Sequence, residues 1–266
     1  MPRRDWKRIN EALVRRGELL LDLDFVKGWG GELQSMNEGK EGARFRYPDS
    51  FIRLLLFMHA YLHLPYRQLE GFTKALARYV KGLKAPDHSS IQWRAEKLPV
   101  TFDHGVMDSN EDVVIAVDVK GKKILALKVT DERTGDGRML KPLAEDASQN
   151  VHVSKTIADG AYDTKANFRY LSAKGIDPVI KVRKNSSTRA RGCMPRKLVA
   201  HEYLKDPTAW KRHHGYGYRW MAETAISSYK RGFGEYVTAK TMENMARELV
   251  VKASLYNLFT GLTANL

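Results

Sequence analysis

The chain has 266 residues, 43% hydrophobic and 29% charged, room for one large globular domain or two ordinary ones. No apolar run approaches the roughly 18 residues of a membrane span, and the opening Met-Pro-Arg-Arg-Asp-Trp lacks a secretory signal's apolar stretch, so a cytoplasmic protein with no membrane partner is expected. The single cysteine, Cys193, excludes an intrachain disulfide and any multi-cysteine zinc site, while 45 Lys and Arg against 31 Asp and Glu give a formal charge of +14 and favour a polyanionic partner, nucleic acid first.

The first hundred or so residues read as helical. Trp6 to Leu21 carries apolar residues at helical spacing, Gly28, Gly30 and Gly31 predict a turn, and Asn37 to Gly42 a polar loop. Tyr47-Pro48-Asp49-Ser50 predicts a helix start capped by Asp49 or Ser50, ahead of an almost wholly apolar helix over 51–62. His59 and His63 have i, i+4 spacing without a metalloprotease motif around them, which favours packing. Pro65 predicts the start of a further helix, and residues 81–87 a turn. Asp87 or Ser89 would then cap a short helix from Ser90 to Leu98. This succession fits a helix-turn-helix in which Gln92, Arg94 and Lys97 contact DNA while Ile91 and Trp93 pack inward; a plain helical bundle is the alternative.

After residue 110 the pattern changes. Residues 112–118 make a β-branched strand ending in Asp118, 119–122 a tight turn, and 123–130 a hairpin partner. A helix is expected over 139–147, a strand over 153–158 running into Asp159-Gly160, a helix over 163–174 and a strand over 178–182. The predicted division is therefore a helical region at 1–110 and an α/β domain at 111–266, whose helical stripe Met242, Met245, Leu249, Ala253 closes the core.

Asp118 and Asp159 both stand at the C-terminal ends of apolar strands, where open α/β sheets bind ligands, although aspartate also simply terminates strands. On an α-helix Tyr216, Arg219, Glu223 and Lys230 fall within roughly 60° of one another, placing a phenol, a guanidinium, a carboxylate and an ammonium on one stripe. Such a stripe suits a metal meeting a phosphate backbone; a solvated face with spaced ion pairs is the plainer reading. Residues 181–197 hold seven basic side chains and no acidic one, among them Arg183 and Lys184, as a groove for a DNA backbone would. His213-His214 is not expected to form a metal pair, since neighbours on a helix point apart.

The gapless Tyr-x2-Arg-x3-Glu-x6-Lys at 216–230 resembles the signature of DDE transposases of the insertion sequence 5 group. Tyr47-Pro48-Asp49, Val-Thr-Asp-Glu at 129–132 and Ala-Asp-Gly-Ala-Tyr-Asp at 158–163 are similar as well. The resemblance implies a ribonuclease-H-like core in which Asp118, Asp159 and Glu223 are catalytic and hold two Mg²⁺ or Mn²⁺ ions. It also implies DNA contacts from Tyr216, Arg219 and Lys230. The implied partners are terminal inverted repeats and target DNA, with a homodimer left open. In such chemistry water frees a 3′-hydroxyl at the element's end, and that hydroxyl then attacks target DNA. The interval from Asp118 to Asp159 is shorter than the family's, as if a strand and part of another were excised after the first catalytic strand. That implies a reduced sheet and weak or absent transposition. A DNA-binding derivative without catalysis and an unrelated metal-dependent nuclease are the competing readings.

Overall fold

The computed structural model describes residues 6–20, 23–98, 112–130, 135–183, 185–189 and 191–264. It divides into two compact units, Met1–Thr101 with Tyr229–Leu266, and Phe102–Ser228.

The first unit is helical. α1 spans Trp6–Leu20, α2 Phe25–Asn37, α3 Asp49–Leu62, α4 Tyr66–Leu76 and α5 His88–Lys97. The turn expected at Gly28, Gly30 and Gly31 is instead the middle of α2. An interior glycine costs a helix about 1 kcal/mol, but here all three are exposed while the opposite face packs aromatics. Phe25 stacks on Phe51 at 4.9 Å between ring centroids, and Trp29 lies 5.3 Å from the same ring. Such pairs add about 0.5–1.5 kcal/mol each beyond buried area, so tertiary packing overrides local propensity.

α3 begins at Asp49 behind an extended Pro48, with no side-chain cap. The two expected capping residues are engaged elsewhere. Asp49 pairs with Arg94, and Ser50 binds the Glu32 carboxylate through its amide at 2.9 Å and its hydroxyl at 2.5 Å. Phe51, Ile52, Leu55 and Met58 of α3 are almost fully buried. His59 is a packing residue as expected: its Nδ1 sits 2.7 Å from the Leu64 carbonyl, and its ring stacks on Tyr66 at 4.5 Å.

α5 opens on the predicted cap. Asp87 accepts hydrogen bonds from the Ser90 amide at 2.8 Å and the Ser90 hydroxyl at 2.9 Å. Losing a cap of this kind costs about 1 kcal/mol, so Asp87→Ala is expected to lower stability by about that amount in chemical denaturation. A second carboxylate fixes the approach to the cap. Glu70 of α4 accepts from the His88 amide at 2.9 Å, meets His88 Nδ1 at 2.8 Å and takes Lys74 Nζ at 2.5 Å. The lysine and histidine donors hold its carboxyl down at about 2.

The last helices complete this unit. α10 covers Trp220–Phe233 and passes from the second unit into the first; α11 covers Met242–Ala264 and packs on α1 and α3. Of the C-terminal stripe, Ala253 is buried in this unit and Met245 and Leu249 are half-buried. α11 carries a buried ion pair, Lys252 Nζ to Glu248 Oε1 at 2.8 Å, whose members also tie down the preceding loop. Lys252 donates to the Tyr236 carbonyl, and Glu248 accepts from the Thr238 and Ala239 amides. Among the described residues no helix is long and apolar enough to cross a membrane.

The second unit is mixed α/β. β1 (Asp112–Val117) and β2 (Ile124–Thr130) form an antiparallel hairpin; β3 (Lys155–Ala158) and β4 (Asp177–Ile180) pair in parallel, Lys155 opposite Asp177 through Ala158 opposite Ile180. Among the described residues these are two separate two-stranded sheets, not one reduced sheet. α6 (Leu140–Asn150) covers the hairpin, burying Ala126, Leu143 and Ala147, and α7 (Lys165–Ala173) is the crossover between β3 and β4. Val153 packs against both this cluster and the larger core around Phe168, Leu171, Ile180 and Trp210. α8 (Met194–Lys205) and α9 (Pro207–His213) close that core, and Cys193, buried at the start of α8, points its thiol at the Lys165 carbonyl.

Candidate active site

β3 ends in an aspartate because the chain must turn there. Asp159 Oδ1 accepts from the Ala161 amide at 2.9 Å, capping the 3₁₀ turn Gly160–Tyr162. Its other oxygen has no hydrogen-bond donor among the described residues. Glu223 lies in the first turn of α10, exposed, with Oε1 accepting from Arg219 Nη2 at 2.6 Å.

The expected four-residue stripe is only partly a helix stripe. Tyr216–Arg219 is a 3₁₀ turn, and the α-helix starts at Trp220. Gly215, left-handed at φ 68°, breaks the chain just before it, and three residues per turn replace 3.6. Tyr216 therefore drops into the core, 8% exposed and 5.6 Å from the Trp210 ring, while Arg219 and Glu223 stay accessible. Burial pushes the Tyr216 phenol up, Arg219 draws it down, and Asp159, Tyr203 and Glu223 add to the rise. β3 packs against the Tyr216–Arg219 turn, and the charges of Asp159 and Glu223 both reach the Tyr216 phenol. Lys230, farther along α10 and exposed, sits 3.5 Å from Glu235.

Asp118 is placed differently. Both its oxygens serve the turn that follows, Oδ1 accepting from the Lys120 amide at 3.2 Å and Oδ2 from the Gly121 amide at 2.5 Å. A Cβ at Gly121 would stand 2.6 Å from Oδ2, so any larger residue there would push this carboxylate aside. The main chain closes the same turn, Asp118 N to Lys123 O and Lys122 N to Asp118 O, both at 2.8 Å.

Hard carboxylate oxygens suit Mg²⁺ or Mn²⁺, and among the described residues Asp159 and Glu223 each keep one without a hydrogen-bond donor. Asp118 fits less well, because its acceptors are occupied by backbone. Asp118, Asp159 and Glu223 do not bring ligand atoms within 4.8 Å of one another; among the described residues Glu202, His213 and His214 do.

The basic stretch folds around an acid that sequence reasoning quoted in a motif but gave no role. Asp163, with a fully buried side chain, accepts Arg196 Nε at 2.6 Å and Nη2 at 2.9 Å. It also takes the Arg183 amide at 3.2 Å and the Ser186 hydroxyl at 3.1 Å. Burial pushes its carboxyl up, but the Arg196 and backbone donors outweigh that and leave it below the usual carboxylate range. The signal was available: a lone acid following Ala-Asp-Gly-Ala-Tyr, with seven bases and no acid at 181–197. Arg196 is consequently spent inside the protein. Arg183, Arg189 and Arg191 remain exposed on a cavity of about 620 Å³ that Lys165 and Ser186 also line. Lys184 lies outside the described residues.

In the first unit, Arg94 was expected at a DNA surface and is instead 5% exposed. Ile91 sets the inward face, and Arg94, one turn on, follows it inside. Its guanidinium donates to the Tyr47 carbonyl at 2.8 Å, pairs with Asp49 and covers the Phe45 ring at 4.4 Å. Trp93, expected inside, is 49% exposed with Lys97 Nζ 3.9 Å over its ring. Gln92 and Lys97 are the expected contacts that α5 leaves at the surface.

An acid at a strand end, another at a helix start and an arginine-lined cavity lie in the same unit. Residues 87–258 match the family model described as Transposase DDE domain, and residues 14–127 match a second model of that description. The chain belongs to the DDE-domain transposases, a family of enzymes that transpose DNA by phosphoryl transfer. No solved structure matches it.

Proposed function

We propose that this chain is a transposase of the insertion sequence 5 type that binds an element's terminal repeats and cuts them slowly, its ribonuclease-H-like core shortened by an internal deletion. The observation that carries the reading is the packing of β3, which runs into Asp159, against the Tyr216–Arg219 turn that leads into the helix of Glu223. These two acids would hold the divalent ions, with Asp118 as the third ligand of the intact fold. Mg²⁺ or Mn²⁺ bound there would supply charge neutralisation at the phosphoryl group. Arg219, released from Glu223, grips a phosphate oxygen, and Lys230 does the same farther along the strand. Arg183, Lys184, Arg189 and Arg191 track the backbone.

The activity test is cleavage of terminal-repeat DNA with Mg²⁺ or Mn²⁺: slow nicking at the element end is expected, and turnover at an intact transposase's rate would refute the shortened-core reading. A second reading, a DNA-binding derivative that no longer cuts, draws support from the two turn hydrogen bonds on Asp118. It predicts binding with no metal-dependent nicking.

Binding itself is tested by salt. Each phosphate contact adds about 0.9 to the slope of log affinity against log salt. Replacing both Arg183 and Arg189 with alanine should flatten that slope by about 2 and weaken all sequences alike. A slope unchanged in fluorescence anisotropy would remove the cavity from the DNA interface.

A further inference from the structure

We propose that Glu202, His213 and His214 form a transition-metal site that takes a zinc-class divalent ion and clips α8 to the end of α9. One ligand atom from each lies within 4.8 Å of the others. His214 Nε2 stands 3.0 Å from both Glu202 oxygens, and the two imidazoles meet edge to face at 5.0 Å. Two ligands on one zinc ion, with bonds of about 2.0–2.1 Å at a tetrahedral angle, are separated by roughly 3.3 Å. The cluster therefore needs only small side-chain rotations to close on an ion. Neighbours on a helix lie about 100° apart, yet both of these histidines bring a ring nitrogen to the Glu202 carboxylate of α8. His213 is the last residue of α9, His214 keeps a helical backbone with its amide on the Trp210 carbonyl at 3.0 Å, and Gly215 then turns the chain left-handed.

The donor set selects the class of ion. Two imidazoles and a carboxylate favour Zn²⁺, Co²⁺, Ni²⁺ or Cu²⁺, whereas Mg²⁺ prefers oxygen and keeps its water. Three protein ligands on an accessible surface leave a position for water. The site is also held from behind. The His214 ring lies 5.2 Å from the buried Trp210 ring, and Glu202 projects from α8, whose Ala200 and Tyr203 are in the core. An ion here would close the loop between residues 202 and 213 immediately before the Tyr216–Arg219 turn. It would stiffen the platform that presents Glu223, acting as a positioning clip with no part in phosphoryl transfer. This inference stands apart from the carboxylate reading, because none of its ligands belongs to that set.

The test is Co²⁺ titration of the full-length protein in excess Mg²⁺, which fills all-oxygen sites. A single equivalent of Co²⁺ should raise visible d–d bands, and one of Zn²⁺ should erase them. His213→Gln, an exposed substitution that spares the core, and Glu202→Gln should each weaken Co²⁺ binding at least about tenfold, since losing a ligand costs no less than losing the outer-shell partner of one. Asp159→Asn and Glu223→Gln should leave the bands unchanged. Zn²⁺ should raise the melting temperature of the parent protein and not that of His213→Gln. Absence of bands at one equivalent, bands that survive His213→Gln, or bands that disappear in Glu223→Gln would each overturn the proposal.

Discussion

Replacing Asp163 with alanine should be the most destabilising single change in the second unit, costing about 3–5 kcal/mol. A buried ion pair stripped of one member leaves the other charge desolvated and unpaired, and measured penalties for that lie in this range. Asp163 also satisfies the Arg183 amide and the Ser186 hydroxyl, so its loss opens the loop that lines the arginine cavity. For a protein of this size the expected fall in melting temperature is roughly 10 °C. Calorimetry should see it, and anisotropy should show weaker DNA binding at low salt. Asp163→Ala combined with Arg196→Met should recover most of the stability, since a buried pair exchanged for apolar groups is often neutral or better. A double substitution as unstable as the single one would mean that the loop hydrogen bonds, rather than the orphaned guanidinium, set the cost.

Acid should reach the same pair. The folded Asp163 carboxyl lies below its usual range, so its contribution is complete above the unfolded value near 3.9. It disappears as pH falls through the lower folded value. Stability attributable to Asp163 should be flat through neutrality and fall only in acid. Asp163→Ala should lack that component of the acid transition.

Periodicity exposed most of the fold, and the failures have identifiable causes. The strand at 112–117, the hairpin after it, β3 running into Asp159 and the Asp87 cap are all local events, written in β-branched runs and capping chemistry. α2 was missed because its three glycines carry no packing information, while Phe25 and Trp29, which decide the matter, do so through Phe51 of another helix. That the hairpin and the β3–β4 pair would remain separate sheets was equally invisible, since register between distant strands depends on what bridges them.

The candidate site divides in the same way. Glu223 and Arg219 keep their i, i+4 relation and were legible; Tyr216 was not, because Gly215 shifts the segment into a 3₁₀ turn and sends the phenol inward. Arg94 shows why basic residues mislead. Its partners at Tyr47 and Asp49 are remote in sequence, and no spacing rule connects them. The histidine pair repeats the lesson: His214 still makes its helical bond to the Trp210 carbonyl, and the Glu202 carboxylate that both rings approach belongs to another helix, which no spacing rule connects to them.

Glu223→Gln should reduce metal-dependent cleavage at least about a hundredfold, a loss of the size that follows when a positioned charge-stabilising group is removed. DNA affinity should change little. The substitution is nearly isosteric and removes a negative charge, so tighter DNA binding would not count against the reading. Asp159→Asn should behave alike, since the Ala161 amide still finds an oxygen acceptor. Asp118→Asn is the discriminating case. An asparagine oxygen can still accept from Gly121, so the turn survives while a hard anionic ligand is lost. If Asp118 swings out of its turn to share an ion, Asp118→Asn should fall as far as Glu223→Gln. If the turn keeps it, cleavage should stay within about threefold of the parent. Mn²⁺ binding, followed by loss of the free-ion resonance signal with Zn²⁺ already occupying any histidine site, gives the same answer where cleavage is too slow to measure. Affinity that drops in Asp159→Asn and Glu223→Gln but not in Asp118→Asn would describe a two-acid centre. Such a centre would hold an ion yet lack the third carboxylate that aims the attack, and a core of that kind would lose rate while still binding DNA. Affinity unchanged in all three variants would remove these acids from metal binding altogether.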